Sequence, residues 1–143
     1  MSEPAESLKK VILVGATGAT GKEVLAELLR TDHFAQVYSF GRRPCGQTHP
    51  KLAEQIVDFE KLADGDEVEA KKFKDIGADA AIITLGTTRA DAGSASRFER
   101  IDREYVVAAA KAARDETKAG QRLVYLCSAG ANAKAPSFLL YPR

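Results

Sequence analysis

Three glycines, Gly15, Gly18 and Gly21, recur at every third position directly after the apolar run Val11-Ile12-Leu13-Val14. Glycine permits positive φ in a tight turn, lets backbone approach a bound group closely, and lets a following helix pack against a strand. The segment after Gly21, KEVLAELLR, carries Val24, Leu25, Leu28 and Leu29 at helical spacing. The turn therefore opens a helix, whose unpaired N–H groups and partial positive charge suit a phosphate. That chemistry is the cradling of a pyrophosphate by Gly15, Ala16, Thr17, Gly18, Ala19, Thr20 and Gly21, with Thr17 and Thr20 offering hydroxyl donors. The spacing alone also fits a tight turn in any α/β protein, and its place between a buried strand and a helix is what makes it a dinucleotide motif. The rival loop, GxxxxGK followed by Ser or Thr, is not met: Ala16 stands where its first glycine belongs, and Glu23 follows Lys22 where a hydroxyl would hold magnesium.

Other positions carry chemistry at strand ends. An Asp or Glu about 20 residues beyond the glycines would bind the ribose 2'-hydroxyl of NAD and repel a 2'-phosphate. Here that place reads Gly41-Arg42-Arg43. Two guanidinium groups suit bidentate phosphate recognition, so NADP(H) is favoured over NAD(H), the alternative being a pair of surface arginines. Asp58 could accept from an adenine amino group or serve as a turn residue. Gly86-Thr87-Thr88-Arg89 is placed beside the crevice where open α/β sheets bind ligands. Ser128 is placed to hydrogen-bond a reacting carbonyl, or to finish a turn. Cys127 reads as a small buried hydrophobe, because no His lies near it in sequence. His33 and His49 have no ligand spacing, and no metal site is expected.

These positions need a sheet to align them. After the first strand, QVYSF at 36–40 reads as a second strand, residues 55–57 as a short third, AAIITL at 80–85 as a fourth and RLVYLC at 122–127 as a fifth. The polar stretch at 62–74 fits either a helix or a loop. The longest helix is expected over about 96–118, with Phe98, Ile101, Tyr105, Ala108 or Ala109, and Ala112 on one face, and with Ser96 and Glu99 as a capping box. Strands alternating with helical segments predict a doubly wound, Rossmann-like parallel sheet in the order 3-2-1-4-5, helices on both faces. One domain over residues 1–143 is expected, with 1–9 a flexible N-terminus.

Composition narrows the function classes. Of 143 residues, 45% are hydrophobic and 29% charged, the balance of a folded globular domain. The net charge of +1 supplies no general field for nucleic acid or an anionic membrane. Two cysteines without cluster spacing fit a reducing, cytoplasmic compartment. No apolar run approaches the roughly 20 residues of a transmembrane helix.

Taken in order, GATGATGKEVLAELL, FGRRP, VDFEKL, LGTTRADAGSASRFERIDREYV and LCSAGANAKAPSFLLY resemble the Tat-interacting protein family of atypical short-chain dehydrogenases/reductases, over about residues 9–141. Fungal members at the mitochondrial outer membrane look similar too. The resemblance implies an NADP(H)-binding Rossmann domain. Its phosphate loop falls on residues 15–21, its 2'-phosphate arginines on Arg42 and Arg43, and its nicotinamide-side loop on Leu85, Gly86, Thr87 and Thr88. In reductases of this superfamily a Ser, a Tyr and a Lys four residues after the Tyr do the chemistry; Ser128 matches the serine and Tyr141 the tyrosine. Only Pro142 and Arg143 follow Tyr141, so the lysine position and the substrate-binding part lie beyond the sequence. A phenol of ordinary pKa, about 10, is a poor acid/base at neutral pH without that lysine.

Three functions follow: an NADP(H)-dependent oxidoreductase acting on a carbonyl/alcohol substrate, an NADPH-sensing adaptor with protein partners as the resemblance suggests, or an inactive truncated product. The expected place is the cytoplasm, with the mitochondrial outer-membrane surface as the alternative from resemblance. Neither the substrate nor the oligomeric state is specified by these residues.

Overall fold

The run at 11–14 is apolar at every position because it is covered on both sides. In the computed structural model, which describes residues 9–74, 76–85, 93–94, 96–97 and 100–126, it forms most of β1 (Lys9–Val14), with all four side chains at most 1% exposed. Lys9, expected in a flexible N-terminus, is already strand, and residues 1–8 lie outside the described residues. The turn after β1 feeds α1 (Ala19–Arg30), which buries Gly21, Leu25 and Leu28 and ends at Thr31. Lys51 closes that end by donating from Nζ to the carbonyls of Leu28, Leu29 and Thr31, placing a cation on the negative end of the helix dipole.

The chain continues through β2 (Phe34–Gly41) and β3 (Leu52–Ile56) into two short helices, α2 (Phe59–Ala63) and α3 (Glu67–Lys71). Asp58 and Asp66 cap these helices with their carboxylates, which settles the 62–74 stretch as helical in part. β4 (Ala80–Ile83) follows, then a π-helical turn (Arg100–Tyr105) that runs into α4 (Val106–Ala113), and finally β5 (Arg122–Tyr125). All pairings are parallel and the strand order is β3-β2-β1-β4-β5, as expected.

Alternation along β1 splits the core. Val11 and Leu13 face α1 with Leu25, Leu28 and Val37, whereas Ile12 and Val14 face the α2 and α4 side with Phe40, Phe59, Leu62, Phe73 and Ala109. Phe40 stacks on Phe73 at 4.1 Å between ring centroids. Helices thus cover both faces.

Several boundaries differ from expectation for identifiable reasons. β3 lies at 52–56 rather than 55–57, because its outer positions are half-buried or exposed and carry no continuous apolar signature. β2 begins at Phe34, before the QVYSF run. β4 stops at Ile83, where Thr84 turns its hydroxyl to the glycine turn. The long helix ends at Ala113, and residues 115–120 form turns in which Asp115 accepts from both Thr117 N–H and its hydroxyl. Of its expected face Tyr105 and Ala109 are buried and Ile101, Ala108 and Ala112 half-buried, while Val106 and Ala113 join the buried side because the π turn inserts extra chain per turn and rotates the face downstream. Ser94 Oγ accepts from the N–H of Arg97, and the expected capping box of Ser96 with Glu99 rests on Glu99, which, like Phe98, lies outside the described residues. β5 reaches Tyr125, with Cys127 also outside, although Leu126 N–H still bonds Ile83 O.

Candidate functional site

The glycines of the turn after β1 have unequal duties. Gly15 sits at φ +97°, and a Cβ there would meet Thr84 Oγ1 at 2.9 Å and Leu85 N at 3.0 Å. Gly21, in the first turn of α1, passes so close beneath that its Cβ would lie 1.9 Å from Gly15 O. Only hydrogen allows either approach. Gly18 has φ −73° and open space, with its nearest neighbour at 3.8 Å. It is the N-cap residue of α1, has no side chain to cap with, and leaves the N–H groups of Ala19 and Thr20 without a hydrogen bond among the described residues. No acid stands in the first turn. Ala16 is buried beneath the turn, while Thr17, Gly18, Ala19 and Thr20 are exposed above it. The result is an open helix N-terminus with free donors and a net positive dipole end.

Thr84, which sequence reasoning passed over, holds this turn. Its hydroxyl lies 3.1 Å from Val14 O and 3.0 Å from Gly15 O. Its only sequence trace is a hydroxyl at the end of an otherwise apolar strand. Leu85 follows it and is half-buried beside Gly15.

Parallel register brings the next candidates to the same edge. Val14 pairs with Phe40, the N–H of Gly15 donates to Phe40 O at 3.2 Å, and Arg42 and Arg43 follow directly after β2. Both arginines are exposed and form no ion pair among the described residues. Their loop is tethered by Cys45, whose N–H donates to Glu54 Oε2 at 2.8 Å and whose side chain packs on the α1 side of the core. Burial and the nearby Glu54 push the Cys45 thiol above its ordinary pKa, so it is no thiolate nucleophile.

Asp58 lies one strand further out, where Val57 N–H bonds Gly41 O at 2.9 Å. Its Oδ1 caps α2 by accepting from Lys61 N–H, and its Oδ2 has no partner among the described residues. Both readings of Asp58 are thus compatible: one oxygen caps α2, and the other, on an exposed residue, has no partner among the described residues. Gly86, Thr87 and Thr88 lie outside the described residues, as do Ser128 and Tyr141.

A second constellation escaped the sequence reading. Glu60 of α2 accepts hydrogen bonds from the Tyr105 hydroxyl, from Arg97, and from Arg100 Nε at 2.6 Å. Arg100 also donates to Asp64 and Glu104, each at 2.9 Å. The Tyr105 hydroxyl first, then the two guanidinium groups, hold the Glu60 carboxyl down to about 2. Burial and the bond to Glu60 raise the Tyr105 phenol, which keeps it protonated and removes it as an acid/base candidate. This cluster ties α2 to the π turn. Only the charged blocks VDFEKL and FERIDREY hinted at it, and pairs 37 to 45 residues apart leave no spacing to read.

A groove of about 710 Å³ lies elsewhere, between α2–α3 and α4, lined by Leu62, Ala70, Lys74, Val107 and Lys111 among others. None of the glycine-turn residues, Arg42 or Arg43 touches it. The candidate site is instead the open carboxyl edge of the sheet, where β1, β2, β3 and β4 end together.

No protein-family model matches the chain. Protein HTATIP2 of Rattus norvegicus is 40% identical over 136 residues, covering 92% of this chain and 51% of that protein. Mitochondrial protein fmp52 of Aspergillus fumigatus is 31% identical over 138 residues, covering 95% and 56%. The chain spans about half the length of the curated relatives it matches. Among solved structures, a short chain dehydrogenase family protein from Francisella tularensis superposes with a TM-score of 0.70 at 17% identity, covering 92% of this chain and 55% of that one. A uronate dehydrogenase variant from Agrobacterium tumefaciens complexed with NAD superposes at 0.58 and 19%, covering 85% and 42%. At such identities these two show the fold alone.

Proposed function

We propose that the chain is an NADP(H)-binding domain of the atypical short-chain dehydrogenase/reductase type, a reading that its similarity to HTATIP2 and the fungal FMP52 proteins supports. The observation that carries this reading is the contact of Gly21 with Gly15 O, which sets the uncapped start of α1 against the carboxyl end of β1. A pyrophosphate there would take the free N–H groups of Ala19 and Thr20, with the Thr17 and Thr20 hydroxyls beside them. Arg42 and Arg43 would hold the 2'-phosphate by charge-assisted bonds, which sets NADP(H) above NAD(H). Asp58 would accept from the adenine amino group through Oδ2. Leu85, Gly86, Thr87 and Thr88 would border the nicotinamide end.

Bound NADPH supplies a hydride to a carbonyl carbon. By resemblance, Ser128 would orient that carbonyl and Tyr141 would deliver the proton to its oxygen. The substrate is a carbonyl or alcohol compound, and the reductase activity is that of a protein of the relatives' length. The proposed compartment is the cytoplasm, with the mitochondrion, which the fungal relatives' names print, as the alternative.

The test is titration of the 143-residue chain with NADPH and with NADH, following nucleotide fluorescence and thermal unfolding together. Binding selective for NADPH is expected, with stabilisation of about 2.7 kcal/mol at a ligand concentration 100 times Kd. Equal affinity for both cofactors would overturn the arginine assignment, and binding of neither would overturn the whole reading.

A further inference from the structure

The turn that presents Asp58 is held from behind by an ion pair with a buried carboxylate, Glu69–Lys72, that the cofactor reading does not use. Glu69 of α3 is 8% exposed, one of two buried polar or charged residues among those described. Its Oε2 accepts from the Asp58 N–H at 3.0 Å and from Lys72 Nζ at 2.9 Å. Lys72 Nζ also donates to Glu69 Oε1 at 3.1 Å and to Ile56 O, the last carbonyl of β3, at 2.9 Å. Lys72 and Glu69 therefore grip the passage from β3 into α2 at both ends, Lys72 at the Ile56 carbonyl and Glu69 at the Asp58 amide.

A buried carboxylate is costly to desolvate, and α2 needs none to fold, since Asp58 and Asp66 cap the helices without it. What the pair adds is position. With its backbone amide fixed by Glu69 and its Oδ1 fixed by Lys61 N–H, Asp58 has one remaining degree of presentation, the Oδ2. We propose that Glu69, held by Lys72, is a positioning residue for the adenine end of the dinucleotide site, acting through the backbone of Asp58. The inference rests on the NADP(H) reading and goes beyond it by naming residues that never touch the ligand.

The test compares NADPH with its hypoxanthine analogue, in which a carbonyl replaces the adenine amino group that Asp58 would bind. The unsubstituted chain should prefer NADPH by about tenfold, the scale of one hydrogen bond to a charged group. Glu69→Ala should abolish that preference while binding of the analogue stays within about twofold, a pattern general unfolding does not produce. Lys72→Met, at a side chain 29% exposed, removes the clamp without a buried cavity and should reduce the preference in the same direction. Retention of the full preference in both variants, or in a folded Lys72→Met if Glu69→Ala does not fold, overturns the inference and leaves the cofactor reading standing. Binding of neither nucleotide by the unsubstituted chain overturns both.

Discussion

Gly21→Ala separates a cofactor loop built on atomic contact from a helix that merely begins with glycine. In an ordinary exposed helical position, Gly→Ala stabilises by about 1 kcal/mol through helix propensity. At Gly21 the added Cβ would stand 1.9 Å from Gly15 O, 2.9 Å from Gly15 C and 3.0 Å from Thr84 Oγ1. The start of α1 and the glycine turn would have to part by about 1 Å before these contacts became tolerable in a close-packed interior. None of the blocking atoms is the free end of a flexible side chain: two are backbone, and Thr84 Oγ1 is held by two carbonyls. Overpacking of this kind costs about 1–3 kcal/mol, enough to reverse the propensity gain. Net of the propensity gain the loss reaches about 2 kcal/mol, which for a domain of this size corresponds to a fall in Tm of up to about 8 °C. Gly18→Ala is the matched control, because its φ is ordinary and its nearest neighbour is 3.8 Å away; it should change stability by less than about 1 kcal/mol. Urea unfolding followed by circular dichroism reads both, and NADPH titration reads the loop. A Gly21→Ala chain as stable as its parent would refute the contact argument.

Arg42→Ala should weaken NADPH by about 1.5–3 kcal/mol and leave NADH nearly unchanged, as read by fluorescence titration; equal losses would remove Arg42 from the 2'-phosphate site. The Glu60 carboxyl is held near 2, below its ordinary 4.5, so its ion pairs stabilise the fold fully above about pH 4.5 and lose that effect as pH falls towards 2. Glu60→Gln should therefore be less stable at neutral pH and show a shallower acid limb between pH 4.5 and 2; an unchanged limb in acid-unfolding curves would exclude the linkage. The edge strand β5 leaves Leu123, Val124, Tyr125 and Leu126 between 40% and 55% exposed, on both faces of the sheet. Self-association of the chain is expected, and Val124→Lys with Leu126→Lys should reduce it in sedimentation velocity; a parent chain that stays monomeric at high concentration would count against this.

The sheet order was legible because four of the five strands carried a compact apolar run and the glycine turn anchored the first βα unit. β3 was misplaced by three residues because an outer parallel strand with Glu54 and Gln55 exposed lacks that signature. The π turn was invisible, since local apolar spacing at Ile101 and Tyr105 reads equally well as α-helix until the phase slips downstream. At the site, the unequal roles of the three glycines could not be read from their equal spacing. The Thr84 latch and the Glu69–Lys72 clamp depend on contacts across 69 and 11 residues, which no motif records. Arg42 and Arg43, by contrast, stood where sequence counting placed them, because β2 ends in register with β1.

β1 lies at the centre of the sheet, and its two neighbours are made at very different times. β2 follows almost at once, but Val11 must wait for Ala80, its partner on the other side, which is polymerised about 70 residues later. At translation speeds of about 5–20 residues per second, that edge of the most apolar strand stays unpaired for roughly 4–14 s while the rest of the nascent chain emerges. A parallel fold with its first strand in the middle thus leaves one edge of its most apolar strand unpaired during synthesis until β4 has been made.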